Sequence, residues 1–415
     1  MTTPSNPPAI CLDVTRLVSR VGRGPFTGID RVENAYLAHF LKNDVRLLGL
    51  SRTAAGYVLL DRPGLAALKA RLDGRAQWGA PDLIGRLSRR LPPARRGAEA
   101  DLRRLAIARA APPLLARCLA RHLPAETLYL NVGHSNLTRR VLSAVRGAKG
   151  AHVAVLLHDT IPLDYPEHHD PAINAGFAQR LSAVAEKADT IIANSEATEA
   201  SLGRHLSSLP RQPRIIVSHL AAERPAKATA SSADLLPDRP FFLAVGTVTP
   251  RKNQALLLDV WEVLAKEHGA ATPTLVIAGA QDPRTDAVAG RVRASALLMR
   301  HVKLHEDLSD AAVAALMEQA VAVLHPSFSE GFGFVPIEAA LAGTPVICAD
   351  LSVYREVLGD MPVYADPTDM YHWKGLIEKE MQQSGGEQKV AREWAIDPMR
   401  LTWDTHINTV LIKLG

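Results

Sequence analysis

The sequence predicts an α/β protein of two domains, each built on a largely parallel sheet. Its 415 residues are too many for one ordinary domain and enough for two that each bury a core. Short β-branched runs alternate with longer helical patterns, the signature of βαβ units, and the alternation occurs twice. Between the two series lies ERPAKATASSADLLPDRP at 223–240, small, polar and Pro-containing without periodicity, which reads as a linker. The expected domains are therefore 1–222 and 241–398, joined by 223–240.

In the first series, strands are expected at 10–14, 45–50, 128–132, 152–157, 190–193 and 214–217, with helical patterns between most of them. The second series restarts at FFLAVG, followed by a helix at 253–267, the strand LVIAG, a helix ending near Met299 and the strand VKLHEDL. A helix at 310–319, the strand AVLHP, a helix after Pro336 and the strand PVICA complete it. The stretch 399–415 reads as an amphipathic helix carrying Leu401, Trp403, Ile407, Val410 and Leu411. Such a helix packs either back on the first domain or within its own.

A charged fraction of 22% beside 47% hydrophobic residues is the balance of a folded, soluble protein. Cys11, Cys118 and Cys348 stand at no metal-ligand spacing, which points to neither a disulfide framework nor a zinc site. The start MTTPSNPPAI has no basic and apolar leader pattern, and no apolar run reaches the ~20 residues of a spanning helix. The expected location is the cytoplasm, with peripheral contact at the inner face of the cytoplasmic membrane.

That last expectation comes from residues 62–122, which carry 14 Lys and Arg against 4 Asp and Glu, while the rest of the chain carries 34 against 39. GRLSRRLPPARRG and DLRRLAIARAAPPLLARCLARHLP read as amphipathic helices inserted into the βαβ pattern. They suit an anionic membrane surface, or else an Arg-rich pair of helices that simply covers the sheet. Nucleic acid is disfavoured, because no RNA or DNA motif or interleaved aromatic accompanies the charge.

The chemistry concentrates in HPSFSEGFGFVPIEAALAGTPV, where Glu330 and Glu338 are separated by seven residues. Pro336 suits a first helical turn and Gly343 a C-terminal cap, so a helix is expected at 336–342. Ser329, Glu330, Gly331, Phe332 and Gly333 then form the loop leading into it, where exposed amides and the helix dipole favour a phosphate or a hydroxyl-rich ligand. Upstream, Gly246-Thr-Val-Thr-Pro-Arg251-Lys252-Asn253 follows the first strand of the second series. Two adjacent cations at such a turn can neutralise a diphosphate.

Together these elements resemble the family-4 retaining glycosyltransferases, in their E-x7-E signature with SEGFG before it and EAxAxGxPV after it, and in their GxxxxRKN element. The resemblance implies the GT-B fold, two Rossmann-like domains facing a central cleft, with donor bound mainly by the C-terminal domain and acceptor by the N-terminal one. It implies that Glu330 contacts the donor sugar, Glu338 the ribose, and Arg251 and Lys252 the diphosphate, with Gly246, Ser329, Gly331, Phe332 and Gly333 lining the donor site. LHDTIPL, at a strand end, resembles bacterial mannosyl- and rhamnosyltransferases of surface polysaccharide assembly, which makes His158 a catalytic-site residue beside Glu330, Arg251 and Lys252, and Asp159 an acceptor-side one. GRGPFTGIDR resembles the family's acceptor-side loop, giving Gly28 and Arg31, although Thr27-Gly28 departs from the paired glycines common there. Ser195 in ANS, another strand-end element, carries less weight. Glu167, His168, His169 and Asp170 read as a polar loop, since consecutive histidines cannot converge on one ion.

The implied reaction is retaining hexosyl transfer, with mannose from GDP-mannose the first choice and a UDP-hexose the second. The acceptor is a polysaccharide or a lipid-diphosphate-linked glycan. The nucleotide sugar is a substrate, and neither cofactor nor metal is expected. A GT-B sugar-nucleotide epimerase remains a competing reading, as does a catalytically silent nucleotide-binding protein. A glycoside hydrolase fits poorly, because RKN beside E-x7-E points to a nucleotide.

Overall fold

The computed structural model describes residues 7–24, 26, 28–223, 235–281, 287–383 and 401–415. The chain divides into two compact units, Met1–Ala221 with Thr402–Gly415, and Ala222–Leu401. Of the expected linker, 224–234 lie outside the described residues, as does the sequence-assigned end of the second domain near 398.

The first unit holds β1 (Ile10–Asp13), β2 (Leu47–Thr53), β3 (Gly56–Asp61), β4 (Ala108–Ala110), β5 (Leu128–Asn131), β6 (His152–Leu157), β7 (Thr190–Ala193) and β8 (Arg214–Val217). They form one sheet in the order β4-β3-β2-β1-β5-β6-β7-β8. Pairing is parallel from β2 through β8, and β3 and β4 extend the sheet antiparallel. Strands such as β1, β5 and β7 are buried at every position, as expected of a sheet covered on both faces. Chain direction outward from the centre reverses between β1 and β5, a topological switch point.

The Arg-rich segment is more deeply embedded than a set of added helices. β4 pairs with β3, and Leu115 and Leu119 of the helix Leu115–His122 are buried in the same core as Tyr129 and Val153. Much of its positive charge is structural. Arg103 forks onto Asp82 at 2.7 and 2.6 Å, Arg71 and Arg104 reach Asp101 at 2.9 and 2.7 Å, and Arg62 donates to the carbonyls of Leu41, Asn43 and Val45. The Arg103 fork holds Asp82 down at about 2.

The second unit holds β9 (Phe241–Val245), β10 (Thr274–Ala278), β11 (Val302–His305), β12 (Val323–His325), β13 (Val346–Ala349) and β14 (Val363–Ala365). All pair in parallel in the order β11-β10-β9-β12-β13-β14, the doubly wound Rossmann order, with the switch point between β9 and β12. Phe242, Trp261 and Trp373 are buried in its core.

The C-terminal helix, Trp403–Leu414, packs in the first unit. Ile407 and Val410 are buried, and His406 is fixed by Tyr36 Oη at 2.8 Å, Ser218 Oγ at 3.0 Å and the His219 carbonyl at 2.9 Å. Burial lowers this imidazole to about 4. A histidine held neutral in the folded state refuses the proton that the unfolded chain accepts below its ordinary value near 6.5, so this contribution is full above that pH and is lost as pH falls toward 4. His406→Gln should therefore be less stable than wild type above pH 6.5, by a margin that shrinks on the order of 3 kcal/mol by pH 4. Thermal unfolding of both proteins across that range measures the margin, and a constant one would contradict this role.

Candidate functional site

In the second unit, the loops leaving β9 and β12 meet at the switch point. The turn Pro250–Lys252 follows β9, and Asn253, held in the left-handed region at φ 56°, starts the helix Gln254–His268. The Asn253 amide donates to the Pro326 and Pro367 carbonyls at 3.2 and 2.8 Å, while Phe328 N–H donates to the Arg251 carbonyl at 2.9 Å. The turn carrying the two cations is thus bolted to the loop carrying Glu330.

The side chains converge accordingly. Glu330 Oε1 lies 2.5 Å from Lys252 Nζ, 3.1 Å from Arg251 Nη1 and 3.1 Å from His325 Nε2, and Arg251 also donates to the Ser329 carbonyl at 2.5 Å. The Glu330 side chain is only 9% exposed and those of Lys252 and Arg251 are 14% and 21%. Burial alone would raise the Glu330 carboxyl, but Lys252, Arg251 and the His325 hydrogen bond hold it well below its ordinary value. Burial, followed by the neighbouring Lys252 charge, lowers His325 to about 4, so this ring is neutral near pH 7. The cluster therefore holds two cations against one carboxylate, a net positive site. Around it, Ser327 Oγ, Ser329 Oγ, Thr249 Oγ1 and Tyr354 Oη are buried and find no hydrogen-bond partner among the described residues. Such groups are unusual in a folded interior and fit a hydroxyl-rich ligand.

Gly333 is fixed by sterics as well as conformation. Its φ is +81°, and a Cβ there would come 2.2 Å from a ring carbon of Tyr354. This left-handed residue lets the helix begin at Phe334, two residues before the expected Pro336, and it runs Phe334–Leu341. Pro336 is accommodated because the first helical N–H groups have no intrahelical partner to lose. Phe332 is buried, and Glu338 sits half-buried as the fifth residue of the helix, where the expected start had made it the third. Gly246, at φ +132°, ends β9 with Lys252 packed over it.

The structure thus brings together Gly246, Arg251, Lys252, Ser329, Glu330, Gly331, Phe332, Gly333 and, one helical turn on, Glu338. Sequence reasoning missed His325, Tyr354 and the positioning role of Asn253. His325 stands five residues before Glu330 within the same motif, and Asn253 completes RKN.

The remaining sites lie in the first unit. His158, at the end of β6, is 5% exposed, and its Nε2 donates to the Val132 carbonyl at 2.8 Å. Its backbone N–H donates to His134 Nε2 at 2.9 Å, and its carbonyl accepts from Asn194 at 2.9 Å. Burial lowers it to about 4, leaving a neutral ring with Nδ1 as acceptor. Asp159 accepts from Ile161 N–H at 3.1 Å, starting the turn of HDTIPL. Gly28 is the first residue of the helix Gly28–Lys42, and Arg31 is half-buried within it. That helix also buries Asp30, paired with Arg16 at 2.5 Å, and Glu33. Ser195 caps the helix Glu196–Leu206 through Thr198 N–H, a structural task. Asp170 caps the helix Pro171–Lys187, and its neighbours Glu167 and His168 stand 4.0 Å apart. Among the described residues, Glu267, His268 and Glu378 lie close enough to hold an ion, but Lys374 occupies that cluster at 2.7 and 2.9 Å from the two carboxylates.

Two Rossmann-like units, one with cations and a carboxylate gathered at its switch point, make up an α/β protein whose structural neighbours have the GT-B fold. Residues 228–393, which include this cluster, match the family of glycosyl transferases group 1. The chain is 31% identical over 256 residues to the serotype-specific mannosyltransferase WbdA of Escherichia coli, a match covering 56% of this chain and 31% of WbdA. It is 31% identical over 140 residues to the O-antigen chain mannosyltransferase RfbU of Salmonella typhimurium, covering 33% of this chain and 37% of RfbU. The chain thus spans about a third of the length of these curated relatives. In fold it is similar to Anabaena Alr3699/HepE, solved in complex with UDP and glucose, with a TM-score of 0.66 at 18% identity over 98% of this chain and 99% of that one. Sucrose-phosphate synthase from Thermosynechococcus elongatus superposes with a TM-score of 0.60 at 16% identity, over 98% and 94% of the two chains.

The geometry separates the roles of the clustered charges. Lys252→Ala and Arg251→Ala should each weaken GDP or UDP binding about tenfold, the loss of one charge-assisted hydrogen bond. Glu330→Gln removes the competing carboxylate and should leave that affinity unchanged or tighter. Calorimetric titration checks both, and unaltered affinity in the two cation variants would contradict a diphosphate site.

Proposed function

We propose that the chain is a retaining glycosyltransferase that moves a hexosyl group from a nucleotide sugar to a polysaccharide or lipid-linked glycan. The observation that carries this reading is the Glu330 carboxylate held by Lys252, Arg251 and His325 at the strand ends of a glycosyl transferases group 1 domain. Mannose from GDP-mannose is the favoured donor, supported by the mannosyltransferases among its relatives.

Cleavage of the bond between anomeric carbon and phosphate builds negative charge on the leaving diphosphate. Lys252 and Arg251 accelerate that step to the extent that they bind the departing diphosphate more strongly than the intact donor. They supply the positive charge that a metal ion would otherwise provide, so the reaction is expected to run without one. Glu330, ionised and pre-positioned, accepts hydrogen bonds from sugar hydroxyls, and Glu338 from the ribose. A donor phosphate oxygen takes the acceptor's proton, and no protein nucleophile is required.

The test is product formation from GDP-mannose, UDP-glucose and UDP-GlcNAc with a bacterial lipid-linked glycan extract, with the new linkage read by NMR. GDP-mannose should give an α-mannoside and, at a hundred times its Kd, stabilise the fold by about 2.7 kcal/mol. Transfer from a UDP-hexose alone would overturn the donor assignment, and an isomerised sugar nucleotide without acceptor would favour an epimerase.

We further propose contact with an anionic membrane through the short helix Leu83–Leu87, where Leu83 and Leu87 are 76% and 82% exposed beside exposed Arg86, Arg89 and Arg90. Apolar side chains ringed by cations match an anionic lipid surface. No helix among the described residues is long and apolar enough to cross a membrane. Because the wider Arg-rich segment supplies a strand and core residues, the clean perturbation is Leu83→Ser with Leu87→Ser. It should abolish co-sedimentation with phosphatidylglycerol vesicles at unchanged melting temperature, and undiminished sedimentation would remove this surface from consideration.

A further inference from the structure

All three groups that hold Glu330 hold the same atom. Lys252 Nζ, Arg251 Nη1 and His325 Nε2 converge on Oε1, at 2.5, 3.1 and 3.1 Å, and Oε2 receives no hydrogen bond among the described residues. Unlike the Ser327 and Ser329 hydroxyls of the same loop, Oε2 is not sealed from solvent. A carboxylate pinned through one oxygen presents the other in a fixed direction, and only as an acceptor.

The three pins are not equivalent. Lys252 and Arg251 carry the charges that suit a diphosphate, so a bound nucleotide draws both away from Oε1. His325 differs in anchorage and in charge. It is the last residue of β12 and 2% exposed, and its ring packs edge-on against Tyr354, with centroids 6.0 Å apart at 73°. Tyr354 is itself fully buried and lies so close to Gly333 that no Cβ would fit between them. The imidazole therefore has little freedom to turn. Its tautomer is set by the same contacts, because an ionised carboxylate can only accept and Nε2 must carry the proton. Lys252 Nζ, 3.5 Å from that nitrogen, is also a donor, so the two are in contact without a hydrogen bond between them. A ring kept neutral by burial has no charge to give a phosphate.

We propose that His325 is the positioning residue of the donor site: its Nε2–H keeps hold of Glu330 Oε1 while Lys252 and Arg251 turn to the diphosphate, so that Oε2 stays aimed at the hydroxyls of the transferred sugar. This role rests on the glycosyltransferase reading and divides the cluster in two. The cations serve the diphosphate, and His325 serves the sugar through Glu330.

The test is calorimetry of the full chain with GDP and GDP-mannose, and with UDP and UDP-glucose. Wild type is compared with His325→Leu, which withdraws the donor, and with His325→Gln, whose side-chain N–H can reach the same oxygen. For the pair that wild type binds, His325→Leu should weaken the nucleotide sugar about tenfold, the loss of one charge-assisted hydrogen bond, and the nucleoside diphosphate no more than about twofold. His325→Gln should recover most of that loss. Equal losses for the two ligands, no loss for either, or no recovery in His325→Gln would overturn the role. Nitrogen NMR of the histidine rings in isotope-labelled wild type tests it without any substitution. His325 should keep Nε2 protonated and Nδ1 bare with and without GDP or UDP, and a change of tautomer on nucleotide binding would overturn the role even if His325→Leu fails to fold. Failure of wild type to bind any of the four ligands would instead sink the glycosyltransferase reading, and this role with it.

Discussion

The second unit is organised around one electrostatic constraint, a carboxylate shielded from water that must be matched by cations from another loop. Glu330 stands 79 residues from Arg251 and 78 from Lys252 in sequence, yet its oxygen lies within 3.1 Å of both. Removing a carboxylate from water is costly unless it is paired and hydrogen-bonded, so Lys252, Arg251 and His325 are structural requirements before they are functional ones. The same matching sets the site's chemistry. Two cations against one anion leave a net positive charge in a poorly hydrated place, where a bound anion would gain most.

The sheet topology explains why such sites occur where they do. In each unit the central strands send their following loops apart, opening a space that side chains rather than secondary structure must fill. In the second unit it is filled by the Glu330 cluster and its orphaned hydroxyls. In the first unit it is lined by Arg52, Arg180, His134 and Asn136, with His134 and Asn136 hydrogen-bonded to the buried His158 and Asp13. The Arg-rich segment has two parts by the same logic. Arg62, Arg71 and Arg103 are consumed by carbonyls and carboxylates of the fold, whereas Arg86, Arg89 and Arg90 remain outside beside exposed leucines.

Much of this was legible in the sequence, because the informative features are local. Buried parallel strands read as continuous β-branched runs, and the elements around Glu330 and Arg251 are short motifs whose spacing survives without any knowledge of tertiary contacts. What the sequence hid depends on contacts between distant segments. β3 and β4 were missed because an antiparallel extension breaks the βαβ rhythm, and β14 because three residues carry little periodicity. The helix at Phe334 starts early because Gly333 can take a left-handed conformation against Tyr354, a contact invisible from spacing. His325 and Tyr354 gain their meaning only once β12 and the helix Ser352–Leu358 are side by side. The arginine-lined space of the first unit draws on segments from Thr15 to Ala183, none carrying a motif.

The most direct test of the account is a crystal structure of the chain with an intact nucleotide sugar. The diphosphate should lie within hydrogen-bonding distance of Lys252 and Arg251, with a sugar hydroxyl donating to Glu330 and the ribose at Glu338. A nucleotide bound elsewhere, with the Glu330 cluster unchanged and untouched, would contradict it.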